Sequence, residues 1–161
     1  MNFEAMLKEF TKAVEAGDGT ALAALFTEDG VYDDTFYGEA RGRDAIRRML
    51  EEEFHGHARD FLWEMHSPVC DGNTGYACWN FSYTSNLPES AGRRVVARGM
   101  SCFRLHEGKI TEYREKFDSG MALAQLDFDP ARLMKLFGRW NGAVREQPDL
   151  ARHVAGPGAQ E

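Results

Sequence analysis

The chain has 161 residues, 43% hydrophobic and 12% aromatic, enough to fill the core of one ordinary domain and too little for two. Against 26 Asp and Glu stand 19 Lys and Arg, a net charge of -7, which argues against nucleic-acid binding through a broad basic face. No run approaches the roughly 20 apolar residues of a membrane-spanning helix, and Met1-Asn2-Phe3-Glu4 lacks the charged-then-apolar order of a secretory leader, so a soluble cytoplasmic protein is expected.

Phe3, Met6, Leu7, Phe10 and Val14 recur at three- and four-residue steps before Gly17, which predicts an amphipathic first helix with a glycine stop. A short second helix carries Ala21, Leu22, Leu25 and Phe26, is capped by Thr20 and ends at Thr27-Glu28-Asp29-Gly30. A brief strand over Val31 to Asp34 and a loop through Gly38 and Gly42 lead to a third helix marked by Ile46, Met49, Leu50 and Phe54. His55-Gly56-His57 at its end reads as a surface segment.

From Arg59 the period changes to two: Phe61, Trp63 and Met65 alternate with Leu62, Glu64 and His66, and Asp71 to Gly75 reads as a hairpin loop. Tyr76 to Asn86 and Arg93 to Leu105 are long strands, and His106-Glu107-Gly108-Lys109 turns the chain into a fourth, Ile110 to Phe117. Helices first and a curved antiparallel sheet second predict an α+β fold with the helices on one sheet face, curling around a pocket. A last helix is marked by Leu133, Leu136, Phe137 and Trp140, with core packing expected and a role over the pocket or against a partner as the alternative. Residues 1–155 are expected as a single domain with 156–161 as a disordered tail.

The segment Thr111 to Phe117 carries the most chemistry. Alternation separates Tyr113, Glu115 and Phe117 from Glu112, Arg114 and Lys116, so one face holds a carboxylate between aromatics. On a concave face, desolvation raises the pKa of Glu115 towards the range useful for acid-base work; the alternative is an ion pair with Arg98 or Arg104. Asp33-Asp34 sits beside Tyr32 and Thr35-Phe36-Tyr37, and only one of the two aspartates points inward, with capping or Asx-turn roles also open. On the strand from Tyr76, the face holding Asn80 and Ser82 suits a hydrogen-bonding pocket wall, whereas Trp79, Phe81 and Tyr83 on the other would need covering, most simply by a second subunit. His66 is a further candidate acid or base. Cys70, Cys78 and Cys102 lack metal-ligand spacing and read as buried free thiols, and no metal or cofactor is expected.

Three segments, Leu25 to Asp34, Gly42-Arg43-Asp44-Ala45-Ile46 and Phe103 to Asp118, resemble the SnoaL-like branch of the superfamily that includes nuclear transport factor two, ketosteroid isomerase, limonene epoxide hydrolase and scytalone dehydratase. The resemblance spans roughly residues 5 to 126. It implies a cone-shaped curved antiparallel sheet packed on N-terminal helices, a cystatin-like α+β barrel, with the last helix added. Asp34 falls where ketosteroid isomerase keeps its general base, Ser101 falls at its oxyanion-hole aspartate, and Phe10 replaces its oxyanion tyrosine. Against limonene epoxide hydrolase, Tyr32 and Asp34 fall on the water-holding tyrosine and asparagine, while Asn80, Ser82 and Glu115 replace Arg, Asp and Asp. The family resemblance implies a cofactor-independent polyketide cyclase, isomerase or dehydratase that removes a proton next to a carbonyl on a small hydrophobic molecule. Asp34, Glu115 and His66 are then the catalytic candidates, and Tyr32, Trp63, Asn80, Ser82, Ser101, Tyr113 and Phe117 the substrate-binding ones. The alternative is a non-catalytic ligand-binding or dimerisation module, with a homodimer through the outer sheet face in either case.

Overall fold

A computed structural model describes residues 2–157. Contacts divide the chain into two compact units, residues 1–126 and 127–161. The positions of the expected tail from 158 onward lie outside the described residues.

The first unit opens with α1 (Phe3–Ala16), capped by the Asn2 side chain and ended by Gly17 in the left-handed region. Its apolar stripe, Met6, Leu7, Phe10, Ala13 and Val14, is buried as the spacing predicts. In α2 (Gly19–Ala24) the cap is Asp18, not Thr20: its side chain accepts the Ala21 N–H, starting the helix two residues earlier than expected. The helix also stops earlier, because Phe26 to Gly30 joins the sheet in β1 (Phe26–Asp34). A strand, β2 (Gly38–Arg41), replaces the expected loop and pairs antiparallel with β1. The third helix, α3 (Arg43–Arg48), widens into a π-helical segment over Met49–Phe54 and a last turn, α4 (His55–His57). His55 is not a surface residue there: its Nε2–H donates to the Val14 carbonyl at 2.8 Å and ties this segment to the end of α1.

The meander follows as β3 (Ala58–Cys70), β4 (Thr74–Ser85), β5 (Arg94–His106) and β6 (Lys109–Phe117). The six-stranded sheet has the order β2-β1-β6-β5-β4-β3. Every pairing is antiparallel except β1 with β6, which is parallel; the all-antiparallel expectation therefore fails at one ladder, the one that joins the early strands to the meander. Register shifts in β3 coincide with positive φ at Asp60 and Ser67, and such bulges bend the strand and curl the sheet.

Aromatic side chains dominate the core between α1 and the concave sheet face. The ring of Phe10 lies within 6.4 Å of those of Phe26, Tyr32, Trp63, Phe103 and Tyr113. Glu15 Oε1 accepts the Trp63 N–H at 2.7 Å and pins α1 to β3. A short helix, α5 (Ser119–Ala124), closes the unit along β5. In the second unit the expected helix forms as α6 (Pro130–Arg145), with Asp129 as its cap and the Phe137 and Trp140 rings 6.0 Å apart, and α7 (Ala151–Ala155) follows. No helix among the described residues is long and apolar enough to cross a membrane. Cys70, Cys78 and Cys102 are free thiols, but Cys70 is exposed because it ends β3 at a hairpin.

Candidate active site

Asp34 ends β1 on the face that turns Gly30 and Tyr32 inward, and Glu115 lies on β6 between Tyr113 and Phe117. Since β1 and β6 pair with Tyr32 beside Tyr113, the two carboxyls reach the same end of the sheet. Asp34 is 4% exposed and Glu115 8%. The chain turns directly after Asp34, whose Oδ1 accepts the N–H groups of Phe36 at 2.7 Å and Tyr37 at 2.8 Å. This Asx turn fixes the carboxyl without neutralising it. Asp33 has the opposite parity and faces Arg114 at 3.8 Å.

Behind Glu115 runs a directed row of hydrogen bonds. Trp79 Nε1–H donates to Ser101 Oγ at 2.9 Å, Ser101 Oγ lies 2.8 Å from Tyr113 Oη, and the Tyr113 O–H donates to Glu115 Oε2 at 3.0 Å. The single phenol proton goes to Glu115, so Tyr113 Oη accepts the serine proton, and Ser101 Oγ accepts the indole N–H. Asp34 and Glu115 sit near enough at this end of the sheet that the charge of Asp34 raises the pKa of Glu115.

Among the described residues neither carboxyl has a cationic partner within 4.0 Å. Arg98 stands opposite Asn80 on the outer face, and Arg104 donates to Thr74 Oγ1 at 2.7 Å, so the ion-pair alternative for Glu115 does not form. Burial pushes Asp34 up to about 6, opposed by its two backbone donors. Burial first, and then the Asp34 charge, push Glu115 up to about 8, opposed by Tyr113 O–H and Thr35 N–H. Neighbouring buried carboxyls do not both ionise readily, so burial and mutual repulsion favour a pair that keeps one proton and one negative charge between them.

Both carboxyls line a narrow cavity of about 50 Å³. Phe61 and Trp63 of β3, Trp79, Phe81 and Tyr83 of β4, and Phe117 of β6 supply aromatic walls. Phe36, Tyr37 and Phe54 close one side, and Ala122 of α5 another. No Lys, Arg or His is among the lining residues. Gly99 makes room for one wall: a Cβ there would lie 2.3 Å from the Trp79 ring.

Of the residues expected from sequence, Asp34, Glu115, Trp63 and Phe117 line the cavity. Tyr113 and Ser101 sit behind it in the hydrogen-bonded row, and the Tyr32 ring packs on Tyr113 at 4.4 Å. Asn80 and Ser82 lie on the outer face, where Ser82 Oγ accepts from Arg94, and they leave the list of pocket-wall residues. His66 also leaves the site: it is exposed beside Cys78 on that outer face, with Nδ1 3.2 Å from Ser67 Oγ. The faces of β4 are thus reversed from the expectation. Ala77 pairs with Ser101 and Ser101 with Glu115, which puts Trp79, Phe81 and Tyr83 on the concave side with Glu115. Their alternation was visible in sequence; the register that assigns the face was not.

The SnoaL-like domain model matches residues 7–113, two-thirds of the chain. Solved structures share the fold at low identity. A protein with a ketosteroid isomerase-like fold from Catenulispora acidiphila, in complex with trimethylamine, superposes with a TM-score of 0.68 at 18% identity over 78% of this chain and 97% of its own. An epoxide hydrolase of the limonene type from M. tuberculosis gives 0.62 at 20% identity over 76% and 86%. A candidate polyketide cyclase from Pseudomonas putida gives 0.63 at 21% identity over 78% and 98%. The buried carboxyl on β1, the curved sheet and the matched domain together place this chain in the SnoaL-like domain family.

Proposed function

We propose that the protein is a cofactor-independent enzyme of the polyketide cyclase and ketosteroid isomerase type, acting on a small hydrophobic carbonyl compound. The observation that carries this reading is the pair of buried carboxyls, Asp34 and Glu115, at the wall of an aromatic cavity. Asp34 is the base and Glu115 the acid. A carbonyl oxygen entering the cavity competes with Asp34 for the Glu115 proton. Asp34 then takes the proton from the carbon next to the carbonyl, and Glu115 O–H donates to the enolate oxygen. Return of the proton to a different carbon completes an isomerisation; attack of the enolate carbon on a second carbonyl opens its C=O π bond to an alkoxide, which takes the proton back from Asp34 and completes a cyclisation. Phe10 and the engaged Ser101 leave Glu115 as the donor, in place of the separate oxyanion hole of the isomerases.

The test is hydrogen exchange at carbon. Wild-type protein in D₂O is expected to deuterate the α-position of small cyclic ketones, read by NMR, and Asp34→Asn to slow this by about 10²–10⁴-fold. Exchange no faster than buffer across a ketone panel, or unchanged exchange in both Asp34→Asn and Glu115→Gln, overturns the proposal. Retained binding of the corresponding phenols without exchange then supports the second reading, a ligand-binding module, which the missing separate oxyanion donor favours.

The same reading includes a homodimer through the outer sheet face, on a basis different from the one sequence suggested. The Trp79, Phe81 and Tyr83 face is turned inward, but Leu62, Val96 and Met100 are about half exposed on the outer one, in register across β3, β4 and β5. Light scattering at micromolar concentration is expected to give twice the chain mass, falling towards monomer for Met100→Glu; monomer mass in the wild type excludes the dimer.

A further inference from the structure

We infer that the ligand of the Asp34–Glu115 cavity carries a positive charge: a small hydrophobic ammonium compound, or a substrate that presents such a group. This inference rests on the site of the proposed function but not on its proton transfer. Three features of the cavity carry it. Both carboxyls line the cavity with no cation within 4.0 Å of either among the described residues, and where mutual repulsion keeps a proton on one, the other carries a negative charge. No lining side chain neutralises that charge: Lys, Arg and His are absent from the wall, and the remaining titratable lining groups, the phenols of Tyr37 and Tyr83, are held neutral by burial. Asp33, outside the cavity, faces Arg114 at 3.8 Å and leaves that arginine no closer to the pair. The rest of the surface is a cage of nine aromatic residues, with Trp63 and Trp79 edge-to-face at 5.9 Å and Phe36 against Phe117 at 5.4 Å.

An uncharged carbonyl compound gains dispersion from those rings and nothing from the charge. A quaternary or protonated nitrogen gains from both, since the ring faces and the carboxylate attract it in a place from which water is largely excluded. The cavity's size favours a compact head such as a trimethylammonium group over a long chain.

The probe is choline, set against its uncharged isostere 3,3-dimethylbutan-1-ol, by titration calorimetry on the wild type and on the double variant Asp34→Asn/Glu115→Gln. The amides keep the shape of the site and remove its charge, and far-UV circular dichroism verifies that the variant is folded. Choline is expected to bind the wild type about tenfold or more tighter than the alcohol. The double variant is expected to lose most of that preference and keep only the part the ring faces supply. Equal affinity in the wild type, an undiminished preference in the folded double variant, or no choline binding at millimolar concentration overturns the inference. If phenols bind and ketones exchange while choline does not, the cation fails and the proton-transfer reading stands; choline selectivity without exchange at any ketone gives the converse.

Discussion

Tyr113 does two things at once: its ring fills the core against Phe10 and Tyr32, and its hydroxyl passes the polarity of Trp79 and Ser101 on to Glu115. Tyr113→Phe keeps the ring and removes the donor that holds the Glu115 carboxyl down, so Glu115 is expected to titrate higher than in the wild type. ¹³C NMR of the Glu115 carboxyl across a pH series reads the shift, and a titration that moves down or stays put contradicts the directed row. The lost bond is expected to cost about 1–1.5 kcal/mol in denaturant unfolding. Gly99 is a second pressure point, because the indole of Trp79 occupies the space of its absent side chain. Gly99→Ala is expected to destabilise by about 1–3 kcal/mol through overpacking and to change the near-UV circular dichroism of Trp79.

At the scale of elements, β5 outruns β6: the last pairing is Gly99 with Phe117, so the stretch from Arg94 to Arg98 has β4 on one side and no strand on the other. The Gln125 amide, just past α5, takes the strand's place, accepting the Val96 N–H at 3.0 Å and donating to the Val96 carbonyl at 2.9 Å. Satisfied backbone groups at this edge hold α5, and with it Ala122, against the cavity. Gln125→Ala is expected to cost about 1–2 kcal/mol and to speed amide exchange at Val96, measured by NMR. On the opposite side of the cavity's floor, α1 supplies Phe10, which is fully buried among five rings. Phe10→Ala is expected to cost about 3–5 kcal/mol, the range for emptying an aromatic from a packed core.

For the whole molecule, the carboxyl pair links stability to pH with a sign opposite to the usual acid one. Both groups titrate higher when folded than when unfolded, so the folded state binds more protons between about pH 4 and the folded values of about 6 and about 8. The favourable contribution is fully present below the unfolded values and is lost as pH rises through the folded ones. Melting temperature is therefore expected to fall between about pH 4 and about pH 8 in the wild type, and to fall far less in Asp34→Asn/Glu115→Gln, which becomes the more stable protein at the alkaline end. Parallel profiles for the two proteins would contradict the raised carboxyl pair.

The sequence by itself determined the elements and most of the site's chemistry. Helical spacing in α1, period-two alternation in β3 to β6, and the aromatic setting of Glu115 are local properties of the chain, and local physics reads them. It also brought Asp34, Trp63 and Phe117 forward as cavity residues. Tertiary structure decided which face each strand turns inward, because alternation defines two faces and only cross-strand register tells them apart. That is why Trp79, Phe81 and Tyr83 line the cavity while Asn80, Ser82 and His66 do not. The parallel pairing of β1 with β6 is likewise a contact between segments some 80 residues apart, which no local pattern encodes. Only that contact brings Asp34 and Glu115 to one end of the sheet, at the wall of one cavity.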